Sequence, residues 1–214
     1  MNRLERASVW AGPLAVGLWI AGIFLVMHND PSDHATDAQI LTWYKSNANW
    51  VLTGGWLFMV GCLVFIWFAG ALRGRLAEAE GGTGTFAAVG FAGAVATAAF
   101  GVLTPAGDVA AAINKNDISA ATAGTFHRFS DAFFVGAELS AIVLLAAVAV
   151  LSWRTSVLPR WWGTLGALVA VVLVIGPIGW AALIFGMPVW TLGTSLFVLL
   201  RRPQLHARVQ PAAA

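Results

Sequence analysis

The chain has 214 residues, of which 59% are hydrophobic and only 10% are charged, and its net charge is +2. A soluble domain is roughly 25% charged, so these few charges cannot cover a water-facing surface of this size. The basic residues stand at the ends of apolar runs rather than together on one element, which excludes a nucleic-acid interface. The apolar runs are evenly spaced, so we expect a single domain over residues 1–214.

The apolar runs predict an all-α, polytopic membrane bundle of six transmembrane helices. A helix needs about 20 apolar residues to cross the hydrocarbon core. The first run, residues 9–27, is too long for the apolar region of a signal peptide and no cleavage site follows it, so it predicts an uncleaved span. The other predicted spans are residues 50–72, 85–103, 130–152, 161–185 and 188–201.

The last two spans come from one apolar run about twice the length of a single span. Glycine and proline weaken a helix, so we place the turn between these spans near residues 186–188 and interpret Pro177 as a kink. A five-helix arrangement would put the terminal arginines outside and weaken the charge pattern.

The arginines predict that both termini lie in the cytoplasm, because basic residues favour cytoplasmic segments. With six spans, the outer segments hold only Lys45, Lys115 and Arg128. The inner segments hold Arg3, Arg6, Arg73, Arg75, Arg154, Arg160, Arg201, Arg202 and Arg208. The predicted location is therefore the cell membrane, with the lipid bilayer as the principal partner.

Residues between the spans predict two different outer segments. Residues 29–49 predict a short interfacial helix, which could be a connector or a lid. Residues 105–126 predict a solvated loop with about one helical turn.

Deeper in the membrane, we expect Trp19, Trp56 and Trp67 to pack between helices.

The third predicted helix carries small residues on one face. Gly93, Thr97 and Gly101 recur at four-residue spacing, which lets another helix backbone approach closely. We therefore expect a central, closely packed helix. Self-association through the same face is the less favoured alternative.

The fourth predicted helix carries a polar stripe of His127, Asp131 and Glu138, spaced by four and then seven residues. At about 3.6 residues per turn these side chains share one face, and Glu138 lies roughly 10 Å deeper than Asp131. An ionisable residue facing lipid at that depth costs at least a few kcal/mol. Glu138 should therefore face the bundle interior, a partner or a water-filled cavity.

Glu138 and Asp131 are the candidates for a proton carrier or a general acid. The alternative for Glu138 is a protonated carboxyl bonded to a neighbouring helix, with no further role. His127, Asp108 and Trp56 are the candidate ligand-binding residues. Their alternatives are an ordinary headgroup-level residue for His127, a helix cap for Asp108 and helix packing for Trp56.

No dense ligand motif of the His-Glu-x-x-His kind is present, so neither a metal nor another cofactor is predicted. A minor alternative is an outer metal site built from His28, His34, Asp108, His127 and Asp131. None of the predicted spans contains a lysine, which excludes a retinal Schiff base. Cys62 is the single cysteine, so an internal disulfide is excluded.

Three stretches at helix ends resemble those of a known group of proteins. They are residues 156–166 (SVLPRWWGTLG), 65–73 (FIWFAGALR) and 199–202 (LLRR). In these the chain resembles small bacterial multi-pass membrane proteins that are grouped under a domain of unknown function. The resemblance implies a membrane bundle and supplies no catalytic residues.

Three functions fit these observations. The first is a bundle that binds or transports a small molecule or lipid in an outward-facing pocket lined by Glu138, Asp131 and aromatic side chains. The second is a membrane-embedded enzyme that protonates a lipid or isoprenoid, as membrane terpene cyclases are thought to do. The third is a structural subunit that joins an oligomer or another membrane protein.

Overall fold

The computed structural model describes residues 3–32 and 34–200, apart from the side chains of residues 3–6 and 176–177. Within these ranges the chain is all-helical, which confirms the all-α part of the predicted fold class. In chain order the elements are α1 (Arg3–Val26), α2 (Asp37–Glu80), α3 (Thr85–Leu103), α4 (Ala106–Ile113), α5 (Ala120–Thr155), α6 (Arg160–Val174), α7 (Gly176–Ala181), a π-helical turn (Ala182–Gly186) and α8 (Met187–Leu200).

Five helical segments in the described ranges are long and apolar enough to cross a membrane. They are Ala7–Val26, Asp37–Glu80, Thr85–Ile113, Ala120–Thr155 and Ile178–Leu200. The apolar α6 is shorter, at 15 residues. Large apolar side chains cover the outer faces of the helices, Phe24 being 76% exposed and Phe185 64% exposed. Such a surface is suited to lipid rather than to water.

Two of the three deep tryptophans belong to this outer surface. Trp56 is 60% exposed and Trp67 is 71% exposed, so the expectation that they pack between helices was wrong. Only Trp19 is buried, where its ring packs against Phe65. The apolar runs look alike on all sides, so hydrophobicity alone could not separate the lipid-facing rings from the buried one.

Helices α1 and α2 meet at a pair of glycines. A Cβ at Gly54 would lie 2.7 Å from the Gly22 carbonyl oxygen and 2.7 Å from the Val26 backbone nitrogen. A Cβ at Gly22 would in turn lie 2.8 Å from the Gly54 carbonyl oxygen. Only glycine at both positions allows the two backbones to come this close.

Helix α3 packs in the same way against α5, as its small residues predict. A Cβ at Gly93 would lie 2.6 Å from the Leu144 backbone nitrogen of α5. On α2, the Cys62 sulfur lies 2.7 Å from the position that a Cβ at Gly101 would take. The prediction of a closely packed third helix is confirmed.

Helix α2 is one continuous helix of 44 residues, which corrects the prediction of a separate interfacial helix over residues 29–49. Its start is fixed by a capping box, in which Thr36 accepts a hydrogen bond from the Gln39 backbone and Gln39 accepts one from the Thr36 backbone. Residues 45–50 contain neither glycine nor proline, so nothing interrupts the helix before it enters the apolar run.

The break in the C-terminal apolar run falls at Ile175, between α6 and α7, and not near residues 186–188 as predicted. Pro177 has no N–H to continue α6 but suits the first turn of a new helix. At residues 186–188 the chain stays helical because the Met187 N–H reaches back five residues to the Ala182 carbonyl. This wider turn accommodates Pro188. The predicted terminal arginines, Arg201, Arg202 and Arg208, lie outside the described residues.

Replacing Gly54 by alanine should separate α1 from α2, because its methyl group would meet backbone atoms that cannot rotate away. We expect a loss of about 1–3 kcal/mol of stability, seen as a lower melting temperature by circular dichroism in detergent. Gly70→Ala on the same helix is the control, since nothing lies within 4 Å of its added methyl group. Equal melting temperatures for the two variants would contradict the close α1–α2 contact.

Candidate functional site

Four helix ends and the short helix α4 converge at one end of the bundle, which we call the Asp108 end. There α1 and α3 finish, α2 and α5 begin, and α4 lies between α2 and α5. The predicted solvated loop over residues 105–126 is in fact occupied mainly by α4 and the first turns of α5. Buried side chains at this end form their own apolar cluster: Ile40, Trp43, Tyr44, Ala48, Val51, Ala111, Ala112 and Ala123.

Beside this apolar cluster lies a set of hydrogen-bonded polar side chains, Tyr44, Asp108, His127 and Ser130, which we call the Asp108 cluster. Tyr44 donates its hydroxyl to Asp108 Oδ1 at 2.5 Å, and Ser130 donates to Oδ2 at 2.8 Å. His127 Nδ1 lies 3.2 Å from Oδ1 and 3.5 Å from the Tyr44 hydroxyl oxygen. Residues from α2, α4 and α5 are thereby joined through one carboxylate.

Asp108 is 6% exposed, and two features compensate for burying its charge. It lies in the first turn of α4, where the helix dipole favours an anion. Both of its oxygens also accept hydrogen bonds. The expectation that Asp108 caps a helix is corrected, because Pro105 occupies the N-cap of α4 and no side-chain cap bond forms there.

A cavity of about 450 Å³ extends from the Asp108 cluster into the bundle. It lies between α1, α2, α3 and α5, and residues 180–188 of the α7–α8 segment form a further wall. The lining is mostly apolar, including Trp19, Phe58, Phe134 and Trp180. Two carboxylates, Asp108 and Asp131, also line it. A large apolar space thus has its acidic groups gathered at one end.

The predicted site residues divide between three places. Asp131 and Asp108 line the cavity, and His127 contacts Asp108 without being part of the lining. Glu138 is 6% exposed and lies outside the lining, against Gly179 of α7. Trp56 is on the outer surface. The stripe on α5 therefore does not form one pocket, because Glu138 turns toward α7 while Asp131 faces the cavity.

Tyr44 and Ser130 are members of the Asp108 cluster that the sequence did not single out. Tyr44 is fully buried although a tyrosine near a helix end suggests an interfacial position. Ser130 follows His127 by three residues, so their positions on one face of α5 could have been noticed. Tyr44 and Asp108 are 64 residues apart in the sequence, so their contact could not have been predicted from local spacing.

The side chains at this end can bind a positively charged or hydrogen-bond-donating group, since Asp108 and Asp131 present acceptors beside an apolar wall. In the part of the chain that the structure describes, no group of three or more His, Cys, Asp or Glu side chains is placed to hold a metal ion.

Comparison of the chain with protein-family models, curated proteins and solved structures finds no match.

Replacing Asp108 by asparagine should disrupt the Asp108 cluster. The new amide has one acceptor oxygen in place of two, so the buried hydroxyl proton of Tyr44 or Ser130 loses its acceptor. We expect a cost of about 1–3 kcal/mol, measured as a lower melting temperature in detergent.

The control for that variant is Asp37→Asn, which removes an exposed ion pair of 3.1 Å with Arg128. Exposed pairs contribute about 1 kcal/mol or less, so this change should have a small effect. If Asp37→Asn destabilises the protein as much as Asp108→Asn, the Asp108 cluster does not stabilise the fold.

Proposed function

We propose that the protein is an integral protein of the cell membrane with six spans and both termini in the cytoplasm, and that it binds or transports a small hydrophobic molecule in its cavity. The charge distribution along the described helices supports this orientation. Arg73, Arg75, Arg154 and Arg160 all lie near the helix ends opposite the Asp108 end. An arginine-rich end is typical of the cytoplasmic side, so the Asp108 end faces outward.

The proposal of six spans counts α6 as a span. At 1.5 Å per residue, its 15 residues cover about 22 Å, which is less than the roughly 30 Å of a typical hydrocarbon core. Leu168 and Val171 are 58% and 60% exposed, so its outer face is apolar. Interfacial Arg160 and Trp161 at its start suit a short span, because a bilayer can thin locally around one.

The observation that carries the proposed binding function is the presence of Asp108 and Asp131 on the wall of an otherwise apolar cavity. Its volume, about 450 Å³, falls within the range of about 300–1,000 Å³ that small-molecule sites occupy. A matching ligand has an apolar body and one end that is positively charged or donates hydrogen bonds. That end would lie toward the outer side, where Asp131 is exposed.

The same wall favours an enzyme as the second candidate. Asp131 lies beside a cavity that also has Phe134 and Trp180 on its wall. An acid at this position could protonate an isoprenoid, and the neighbouring aromatic ring faces could stabilise the resulting cation. Under this alternative an isoprenoid substrate would be converted to a product, and Asp131→Asn would stop the conversion without preventing binding.

The cavity can be tested by filling it. Ala98 is buried and lines the cavity, so Ala98→Phe should lower the affinity for a fluorescent amphiphile with a quaternary ammonium head by about tenfold or more, equivalent to 1.4 kcal/mol. The measurement is fluorescence titration of the protein in lipid nanodiscs. Ala99→Phe, one residue along on the exposed face, is the matched control and should bind as the wild type does.

Alkylation of Cys62 provides an independent test of binding in the same cavity, because Cys62 lines the wall and is the only cysteine of the chain. Bound amphiphile should slow alkylation of Cys62 by a small maleimide in the wild type and in Ala99→Phe. Unchanged binding in Ala98→Phe, together with a Cys62 alkylation rate that the amphiphile does not change, would rule out the cavity as the binding site.

The orientation has its own test. A reporter that is active only in the cytoplasm should be active when fused to either terminus, because six crossings return the chain to its starting side. A reporter inserted at Lys115, between α4 and α5, should be inactive. Activity at only one terminus would show an odd number of spans.

A further inference from the structure

Glu138 lies near the middle of the 36-residue α5, behind the wall of the cavity rather than on it. Its side chain is 6% exposed. Among the described residues it has no hydrogen-bonding or ion-pairing partner. An ionised carboxylate held this way within the membrane costs at least a few kcal/mol.

A backbone carbonyl shares the space beside Glu138. A Cβ at Gly179 would lie 3.2 Å from Glu138 Oε1 and 3.0 Å from the Leu173 carbonyl oxygen, so both oxygens border the same small gap. In a continuous helix Leu173 would accept a bond from the residue four positions later. That residue is Pro177, which has no N–H to give.

The gap therefore brings together two groups that can only accept hydrogen bonds while Glu138 is ionised. A proton on Glu138 turns its carboxyl group into a donor that the Leu173 carbonyl can satisfy. We propose that Glu138 and the Leu173 carbonyl form a proton-binding site inside the bundle, and that a proton held there fastens the C-terminal end of α6, which leads into α7, to α5 and supports ligand binding in the cavity.

The coupling to the cavity rests on the function proposed above and follows from the position of the α7 segment. Gly179 faces Glu138, whereas Trp180, Leu183 and Ile184 of the same segment line the cavity. The segment is bounded by the break at Ile175 and continues into the π-helical turn. Discontinuous helices and π-helical turns of this kind frequently occur at binding sites.

Among the residues that the structure describes, no other ionisable group lies at the level of Glu138 to compete for this proton. Helix α5 packs against α2, α3, α4, α6 and α7. Of these, α3 and α7 carry no ionisable side chain, α6 carries only Arg160 at its start, and α4 carries only Asp108. On α2, Cys62 is the only thiol, and the charged residues of that helix lie toward its two ends. On α5 itself the nearest acid is Asp131, seven residues toward the outer end.

Infrared spectroscopy of the protein in lipid nanodiscs tests the proton site without any ligand. At neutral pH the wild type should show a C=O stretch of a protonated carboxylic acid that is absent from Glu138→Gln. Gly179→Ala should shift that band, because its methyl group would lie 3.2 Å from Glu138 Oε1 and 3.0 Å from the Leu173 carbonyl oxygen. Gly70→Ala, whose methyl group meets nothing within 4 Å, should leave the band in place. Identical carboxylic-acid bands in the wild type and in Glu138→Gln would overturn the proton site.

The coupling is tested with the quaternary ammonium amphiphile as pH is raised. The wild type should lose roughly tenfold in affinity, a usual size for coupled sites, as Glu138 gives up its proton. Glu138→Gln should keep its affinity, since the amide still donates to the Leu173 carbonyl. All other ionisable groups are the same in both proteins, so the difference between the two curves reports Glu138 alone.

The two proposals fail in different ways. Parallel titration curves for the wild type and Glu138→Gln would overturn the coupling. A wild type that binds no amphiphile at any pH would contradict the proposed binding function while leaving the infrared result to decide the proton site. Matching melting temperatures at neutral pH should show that Glu138→Gln is folded.

Discussion

Hydrocarbon offers no hydrogen-bond partner, and this constraint decides where the chain can place polar side chains. In the described ranges, the buried hydroxyls of Thr97, Ser152 and Ser195 each donate to the backbone carbonyl four residues earlier. Asp108 instead gathers three side chains from α2 and α5 at one end of the bundle. These hydroxyls are therefore satisfied within their own helices and the Asp108 cluster collects its polar side chains in one place, while the outer faces of the helices are apolar.

Close glycine contacts explain why the bundle contains a cavity. Gly22 and Gly54 hold α1 against α2, and Gly93 holds α3 against α5, at distances that other residues would not allow. The cavity lies between these two tightly packed pairs, and the α7–α8 segment forms its remaining wall. Small residues thus bring helices together within each pair, and Phe58 and Phe134 are among the side chains that border the space between the pairs.

The features that the sequence predicted correctly are those that hydrophobicity and local spacing determine. Long apolar runs indicated the helical class, and the small residues of α3 indicated its close packing. The continuity of α2 and the position of the C-terminal break were not predicted, because they depend on how caps, prolines and wider turns are accommodated by neighbouring backbone. The sequence predicted only part of the Asp108 cluster. Asp108 and His127 were candidates, but Tyr44 joins them only through contacts between distant parts of the chain.

The α7 segment is the element best suited to connect an internal acid with a bound molecule. It is only six residues long, it begins after an extended residue, and it continues into a turn with wider hydrogen bonding. Few backbone hydrogen bonds hold such a segment, so it can move at lower cost than the long helices around it. Glu138 lies behind it and the cavity lies in front of it. A change in the charge of Glu138 would therefore act first on α7, the part of the cavity wall that is held by the fewest backbone hydrogen bonds.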